Sequence, residues 1–154
     1  MALNFLNHDT FFLPRGRGRI SAWLRSVAAA EGYRVGELAV VFTSDAYLLE
    51  VNRKYLGHDY HTDIITFDYR DPLRPKVISG DLLISVDTVG ANAAKFGVLP
   101  GDELLRVMVH GVLHLCGYKD KSASEREQMR GREDFYLAEY FSAGGSPDIF
   151  MAVE

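Results

Sequence analysis

A chain of 154 residues fits one domain of ordinary size, able to bury roughly 70% of its unfolded surface. With 47% hydrophobic and 25% charged residues, it lies inside the globular range and outside the collagen-like, coiled-coil and disordered classes. The net charge of −4 lends no global support to a polyanionic partner, and no stretch approaches the ~20 apolar residues of a membrane span.

Leu3 to Asn7 reads as a weak strand within the one basic part of the chain, residues 1–34. Within it, Pro14-Arg15-Gly16-Arg17-Gly18-Arg19 reads as a solvated loop, with a phosphate contact as the alternative. Ile20, Trp23, Leu24 and Val27 then take the spacing of an amphipathic helix that ends near Gly32. Leu38-Ala39-Val40-Val41-Phe42 is short, apolar and β-branched, as suits a buried strand. Ser44 is placed to cap a helix running from Asp45 to about Tyr55, with Leu48, Val51 and Tyr55 on its apolar face and Gly57 as its stop.

Thr62 to Tyr69 and Val77 to Ser85 give two more strands, separated by the turn-rich Asp71-Pro72-Leu73-Arg74-Pro75. Residues 86–97 form a helix closed by Gly97, and Pro100-Gly101-Asp102 opens another that reaches Cys116. Ser122 and Glu125 have the spacing of a capping box ahead of a last helix, whose apolar positions read as Met129, Phe135, Leu137, Tyr140 and Phe141. The expected architecture is a single α+β domain over residues 1–154, with a small mixed sheet of about four strands and about five helices. Residues 143–154 read as a loose tail. The lone Cys116 cannot form an internal disulfide and no leader-like segment precedes the domain, so the cytoplasm is the expected compartment.

The chemistry gathers on Leu104 to Gly117, a helix apolar nearly all round and hence buried, which two histidines interrupt. Residues four apart share a helix face, so His110 and His114 can aim two imidazoles at one point, as a helix does when it ligates a metal. Gly111 costs a helix interior about 1 kcal/mol relative to Ala, a cost that makes sense if something approaches the backbone beside His110. Gly117 can turn the chain back and bring Asp120 across the same face as a third ligand, leaving a position for water. The alternative is a pair of hydrogen-bonded core histidines, which accounts less well for a same-face pair followed by an acid.

His110-Gly111-Val112-Leu113-His114-Leu115-Cys116-Gly117-Tyr118 resembles the HGxLHLxGY signature of the bacterial YbeY family. Asn52, Tyr55, Asp59 and Thr62-Asp63-Ile64-Ile65-Thr66-Phe67 are similar to that family's N-x-x-Y…D-x-x-T-D-V-L-S-F stretch, and Gly80-Asp81-Leu82-Leu83-Ile84-Ser85 to its G-D-I-x-I-S. The resemblance spans residues 52–120 and implies a single-zinc endoribonuclease of the 3′ end of 16S rRNA and of ribosome quality control, working with the small ribosomal subunit.

Two positions depart from the pattern. Asp120 stands where the family carries a third histidine ligand, an anion in place of a neutral donor, which opens the choice among zinc, manganese and nickel. Leu56 stands where the family places an arginine that serves RNA binding or cleavage, and Arg53 and Lys54 of the same helix are the residues left to contact phosphate. One divalent metal, with zinc first, on His110, His114 and Asp120 would activate a bound water and polarise a phosphoryl oxygen.

Gly111 fills the place where metalloproteases carry their glutamate base, so peptidase chemistry is disfavoured. Asp59, Asp63 and Asp81 read as residues that cap or hydrogen-bond the fold, and no general base is assigned. Lys119 and Lys121 flank the ligands, while His58 and His61 read as exposed loop residues. The competing reading is a ribosome-associated assembly factor with a structural metal and little or no nuclease activity.

Overall fold

A computed structural model describes residues 2–150. Its elements in chain order are β1 (Ala2–Asn7), α1 (Arg17–Ala30), β2 (Arg34–Thr43), α2 (Asp45–Leu56), β3 (Ile64–Asp68), β4 (Val77–Ser85), α3 (Val86–Phe96), α4 (Pro100–Leu115) and α5 (Ala123–Ser142). The four strands form one sheet in the order β1-β2-β4-β3. β1 and β4 both run parallel to β2, and β3 returns antiparallel to β4, so the expected mixed sheet and its weak first strand are present.

Alternation along the strands sorts side chains to two faces. Leu38, Val40, Phe42, Leu82 and Ile84 join the main core with α1, α4 and α5. Ile65 and Leu83 point the other way, onto Leu48 and Val51 of α2. Serines mark the β2-to-α2 and β4-to-α3 junctions: Ser44 accepts from the Tyr47 N–H and Ser85 from the Thr88 N–H, each satisfying a donor that a first helical turn leaves free. The capping box at Ser122 and Glu125 is formed as expected.

α4 lies across the sheet and is buried nearly all round. A Cβ added at Gly111 would come within 2.9 Å of side-chain carbons of Ile64 and Leu82. The close approach expected beside His110 is therefore the sheet itself. Without a side chain at 111 the helix settles against β3 and β4, and His110 and His114 turn toward the open side.

The inward face of α5 differs from the expected one. Phe135 is 50% exposed and Phe141 is also exposed, while Glu133 and Tyr136 are buried beside Met129, Leu137 and Tyr140. A carboxylate at an inward position breaks the apolar pattern, so Phe135 and Phe141 read as inward, while Met129, Leu137 and Tyr140 lie inward as expected. Tyr55 is likewise exposed.

Residues 143–150, expected to be loose, run along the body instead. Ile149 is 2% exposed, its carbonyl accepts from the Arg15 N–H, and Phe150 packs on Phe12. Residues 151–154 lie outside the described part. The basic loop is occupied within the chain: Arg15 reaches Asp148, Arg17 donates to the Pro14 carbonyl and Arg19 to the Ala143 carbonyl. Among the described residues no helix is long and apolar enough to cross a bilayer.

Candidate metal centre

His110 and His114 stand one turn apart on α4 with ring centroids 4.5 Å apart and planes nearly perpendicular. Each ring is held through Nδ1. That of His110 lies 2.6 Å from Glu133 Oε2, and that of His114 lies 2.9 Å from the Tyr118 carbonyl. A carbonyl oxygen only accepts, and the carboxylate does the same when ionised, so both Nδ1 atoms carry hydrogen, and in the neutral rings both Nε2 atoms keep a lone pair.

Those two lone pairs face one atom. Asp120 Oδ2 is 3.2 Å from His110 Nε2 and 3.1 Å from His114 Nε2. The three donor atoms lie within 4.8 Å of one another and could hold a metal ion. Three acceptors aimed at one point repel unless a proton or a cation lies among them, so this donor set fits a divalent metal with two neutral nitrogens and one carboxylate.

The turn that brings Asp120 back is built locally. Gly117 takes φ +102°, a left-handed value that suits glycine, and the Tyr118 N–H closes on the Leu113 carbonyl at 3.1 Å. Beyond Asp120 the Lys121 and Ser122 N–H groups donate to Glu125 Oε1, so Asp120 sits between a helix stop and a helix start. Sideways, the Tyr118 hydroxyl donates to Glu31 Oε1 at 2.9 Å, and Glu31 also binds Arg132 and the Tyr136 hydroxyl. One carboxylate thus ties the ligand turn to α1 and α5.

Glu133 is the functional residue that sequence reasoning missed. It is 5% exposed, and its second oxygen accepts from Arg106 Nη1 at 2.9 Å. Burial alone would lower the His110 pKa, yet the hydrogen bond and charge of Glu133, with those of Asp120 and Asp63, outweigh it and hold the imidazole above its usual range. The signal available was a charged residue at an inward position of α5.

Two cavities meet at the centre. One, of about 480 Å³ between α4 and α5, is lined by Asp63, Arg106, His110, Asp120, Arg126 and Arg130 among others. The second, of about 550 Å³, runs along β3 past Leu56, His58, Tyr60, His114 and Lys121. Asp63, His110 and Asp120 line both. Asp63, expected only to serve the fold, is therefore also part of the site, and burial, first among several causes, raises its carboxyl above the usual range. Asp81 does bond within the fold, accepting from the Tyr69 hydroxyl.

Arg53 and Lys54 line neither cavity. Arg53 pairs with Asp59, and the Lys54 ammonium lies 5.5 Å from the Tyr55 ring centre. Lys121 lines the second cavity and Lys119 does not. His61 is bound to Asp45 at 2.6 Å, away from the centre, whereas the exposed His58 borders it.

Cys116 lies inside the motif yet is no ligand. It is buried, and burial foremost, with the Glu31 charge, pushes its thiol up to about 12. Alkylation of the native protein by iodoacetamide at pH 8 is expected to run on the order of 10³-fold slower than that of the unfolded chain, from the thiolate fraction alone. Mass spectrometry over time checks this; equal rates would place the thiol at the surface.

A sequence model described as endoribonuclease YbeY matches residues 14–141. The endoribonuclease YbeY of Bacteroides thetaiotaomicron is 55% identical over 116 residues, covering 75% of this chain and 82% of that protein. That of Cytophaga hutchinsonii is 48% identical over 134 residues, 87% and 92% of the two chains. A solution structure from Thermotoga maritima, 24% identical, shares the fold with a TM-score of 0.65 over 92% of this chain and 91% of that one. By these matches and by its motif blocks, the chain belongs to the YbeY endoribonuclease family.

Proposed function

We propose that this protein is a metal-dependent endoribonuclease that hydrolyses single-stranded RNA, with the 3′ end of 16S rRNA on the small ribosomal subunit as its substrate, acting in the cytoplasm. The observation that carries this reading is the convergence of His110 Nε2, His114 Nε2 and Asp120 Oδ2 at the junction of two open cavities. A bound divalent metal, with zinc the first candidate, supplies Lewis acidity toward a phosphoryl oxygen and lowers the pKa of a water.

The chain's own residues do the rest. Glu133 and the Tyr118 carbonyl hold both imidazoles in the tautomer that leaves Nε2 free. Asp63 is the carboxylate outside the ligand set that borders both cavities. Its raised pKa brings it nearer the working range of a proton acceptor, and it is the group assigned to take a proton from the attacking water. Arg106 is tied to Glu133 and Asp134, which keeps a cation on the wall of the first cavity.

The test is cleavage of a labelled single-stranded RNA by nuclease-free protein, before and after metal removal by chelator and after zinc is restored. Activity should be lost and regained in step with metal content. Cleavage that persists in fully metal-free protein overturns the reading. Metal-loaded protein that co-sediments with small ribosomal subunits and cleaves nothing would establish the assembly-factor alternative, for which Leu56, 44% exposed on the second cavity, is the favouring observation.

A further inference from the structure

The two cavities differ in chemistry. The wall between α4 and α5 carries Arg126 and Arg130, four apart and therefore on one face of α5, both exposed. Arg126 donates one N–H to the neutral Lys121 carbonyl, and among the described residues it has no carboxylate within ion-pair distance. Arg130 has no carboxylate within ion-pair distance among the described residues, and its charge reaches the buried Glu103. Of the carboxylates on that wall, Glu133 is engaged by Arg106 and His110, Glu103 is buried and Asp63 half-buried, and Asp120 faces the two histidines. The two outward arginines are thus the charges that an approaching polyanion meets first.

The second cavity carries His58 and Tyr60. Their rings are stacked, 5.1 Å between centroids and 19° between planes, and a 3.1 Å hydrogen bond between His58 Nδ1 and the Tyr60 hydroxyl joins them. Both are exposed, with Lys121 on the same wall. A rigid aromatic pair in an open groove beside a cation suits an unstacked nucleobase followed by its phosphate.

We propose that a single RNA strand crosses the metal centre from an aromatic arm, His58 and Tyr60, to a cationic arm, Arg126 and Arg130, which takes the phosphate role expected of Arg53 and Lys54. The proposal rests on the endoribonuclease reading and deepens it. A groove open at both ends admits a strand at an internal position, and a stacking arm requires bases free of a duplex. Selectivity for single strands and internal cleavage then have one origin. Phosphate contacts on one side and stacking on the other make the path indifferent to sequence.

The experiment is binding of a fluorescent single-stranded RNA dodecamer of mixed sequence to metal-loaded protein in the cold, followed by anisotropy over a salt series. Arg126→Gln/Arg130→Gln should weaken binding by about tenfold or more near 0.1 M salt. It should also flatten the slope of log K against log salt by about 1.4, two phosphates' worth for a single strand. Tyr60→Ala should weaken binding about 5- to 150-fold, the range for one stacked base, with the salt slope unchanged.

Arg74→Gln/Lys76→Gln removes the same charge at a cavity on another part of the surface and should alter affinity little. Metal content should match wild type in all variants. Wild-type affinity in either arm variant, or equal loss in the Arg74/Lys76 control, overturns the path while leaving the nuclease reading standing. Absence of RNA binding by wild type overturns both.

Discussion

His114→Ala is expected to bring bound metal from one per chain to below a tenth of that, and RNA cleavage with it. The variant leaves His110 and Asp120, one group short of the three that catalytic metal sites ordinarily supply. Apparent binding free energies of about 10–16 kcal/mol for four-ligand zinc sites average about 2.5–4 kcal/mol per ligand, so affinity should fall on the order of 10²- to 10³-fold. The fold should survive. The His114 side chain is partly exposed, and outside the ligand cluster its hydrogen bond goes to the Tyr118 carbonyl, worth about 1 kcal/mol. Elemental analysis beside thermal unfolding of the metal-free forms separates the two effects. A variant with undiminished metal would show that these side chains are not the ligands.

Glu133 should show a different division between stability and affinity. Glu133→Ala removes the acceptor of a half-buried Arg106 and of His110 Nδ1, leaving donors short of partners in a low-dielectric wall. Loss of one partner of a buried pair costs about 3–5 kcal/mol. Arg106 keeps Asp134 at 2.7 Å, which lowers the expectation to about 2–4 kcal/mol, or about 5–15 °C in Tm for a domain of this size. Glu133→Gln keeps the volume and one acceptor, but it has one oxygen for two donors. Its stability loss should be the smaller of the two, while metal affinity should fall about 10- to 100-fold, the usual effect of freeing a ligand histidine from its partner. Titration calorimetry and unfolding curves on both variants check this. Full affinity in Glu133→Gln would mean that His110 is oriented by α4 alone.

The features legible in the sequence were those written locally. An apolar β-branched run makes β2, serine caps open α2 and α3, and two histidines four apart on a continuous apolar helix must share a face, whatever surrounds them. Asp120 was legible because a glycine stop places the following residues within reach of the helix it ends. Glu133, Asp63, Arg126 and Arg130 come to the centre through packing of α5 and β3 against α4, and no spacing relative to His110 encodes that. Arg53 and Lys54 illustrate the converse. They adjoin a motif block in sequence, yet the helix that carries them turns Asn52 and Leu56 to the cavity and leaves those two side chains on Asp59 and near Tyr55. Residues 143–150 depart from expectation for a similar reason: a Gly-Gly-Ser-Pro run has the composition of a linker, and no local spacing announces that Ile149 bonds Arg15 and Phe150 packs on Phe12.

The order of strands in the sheet bears on how the chain can be made. β2 is central, and its partner on one side is β4, so Arg34–Thr43 must wait for Val77–Ser85. At the usual rates of synthesis the roughly 30 intervening residues take about 2–7 s to emerge. During that interval Val40 and Phe42 belong to a strand with one parallel neighbour and an open apolar edge, and parallel pairing is slow to form in any case. The helix bearing both histidines is translated only afterwards. Nascent chains halted before residue 77 should therefore be held by chaperones or lost to aggregation, and His110, His114 and Asp120 come together only on a sheet that is already closed.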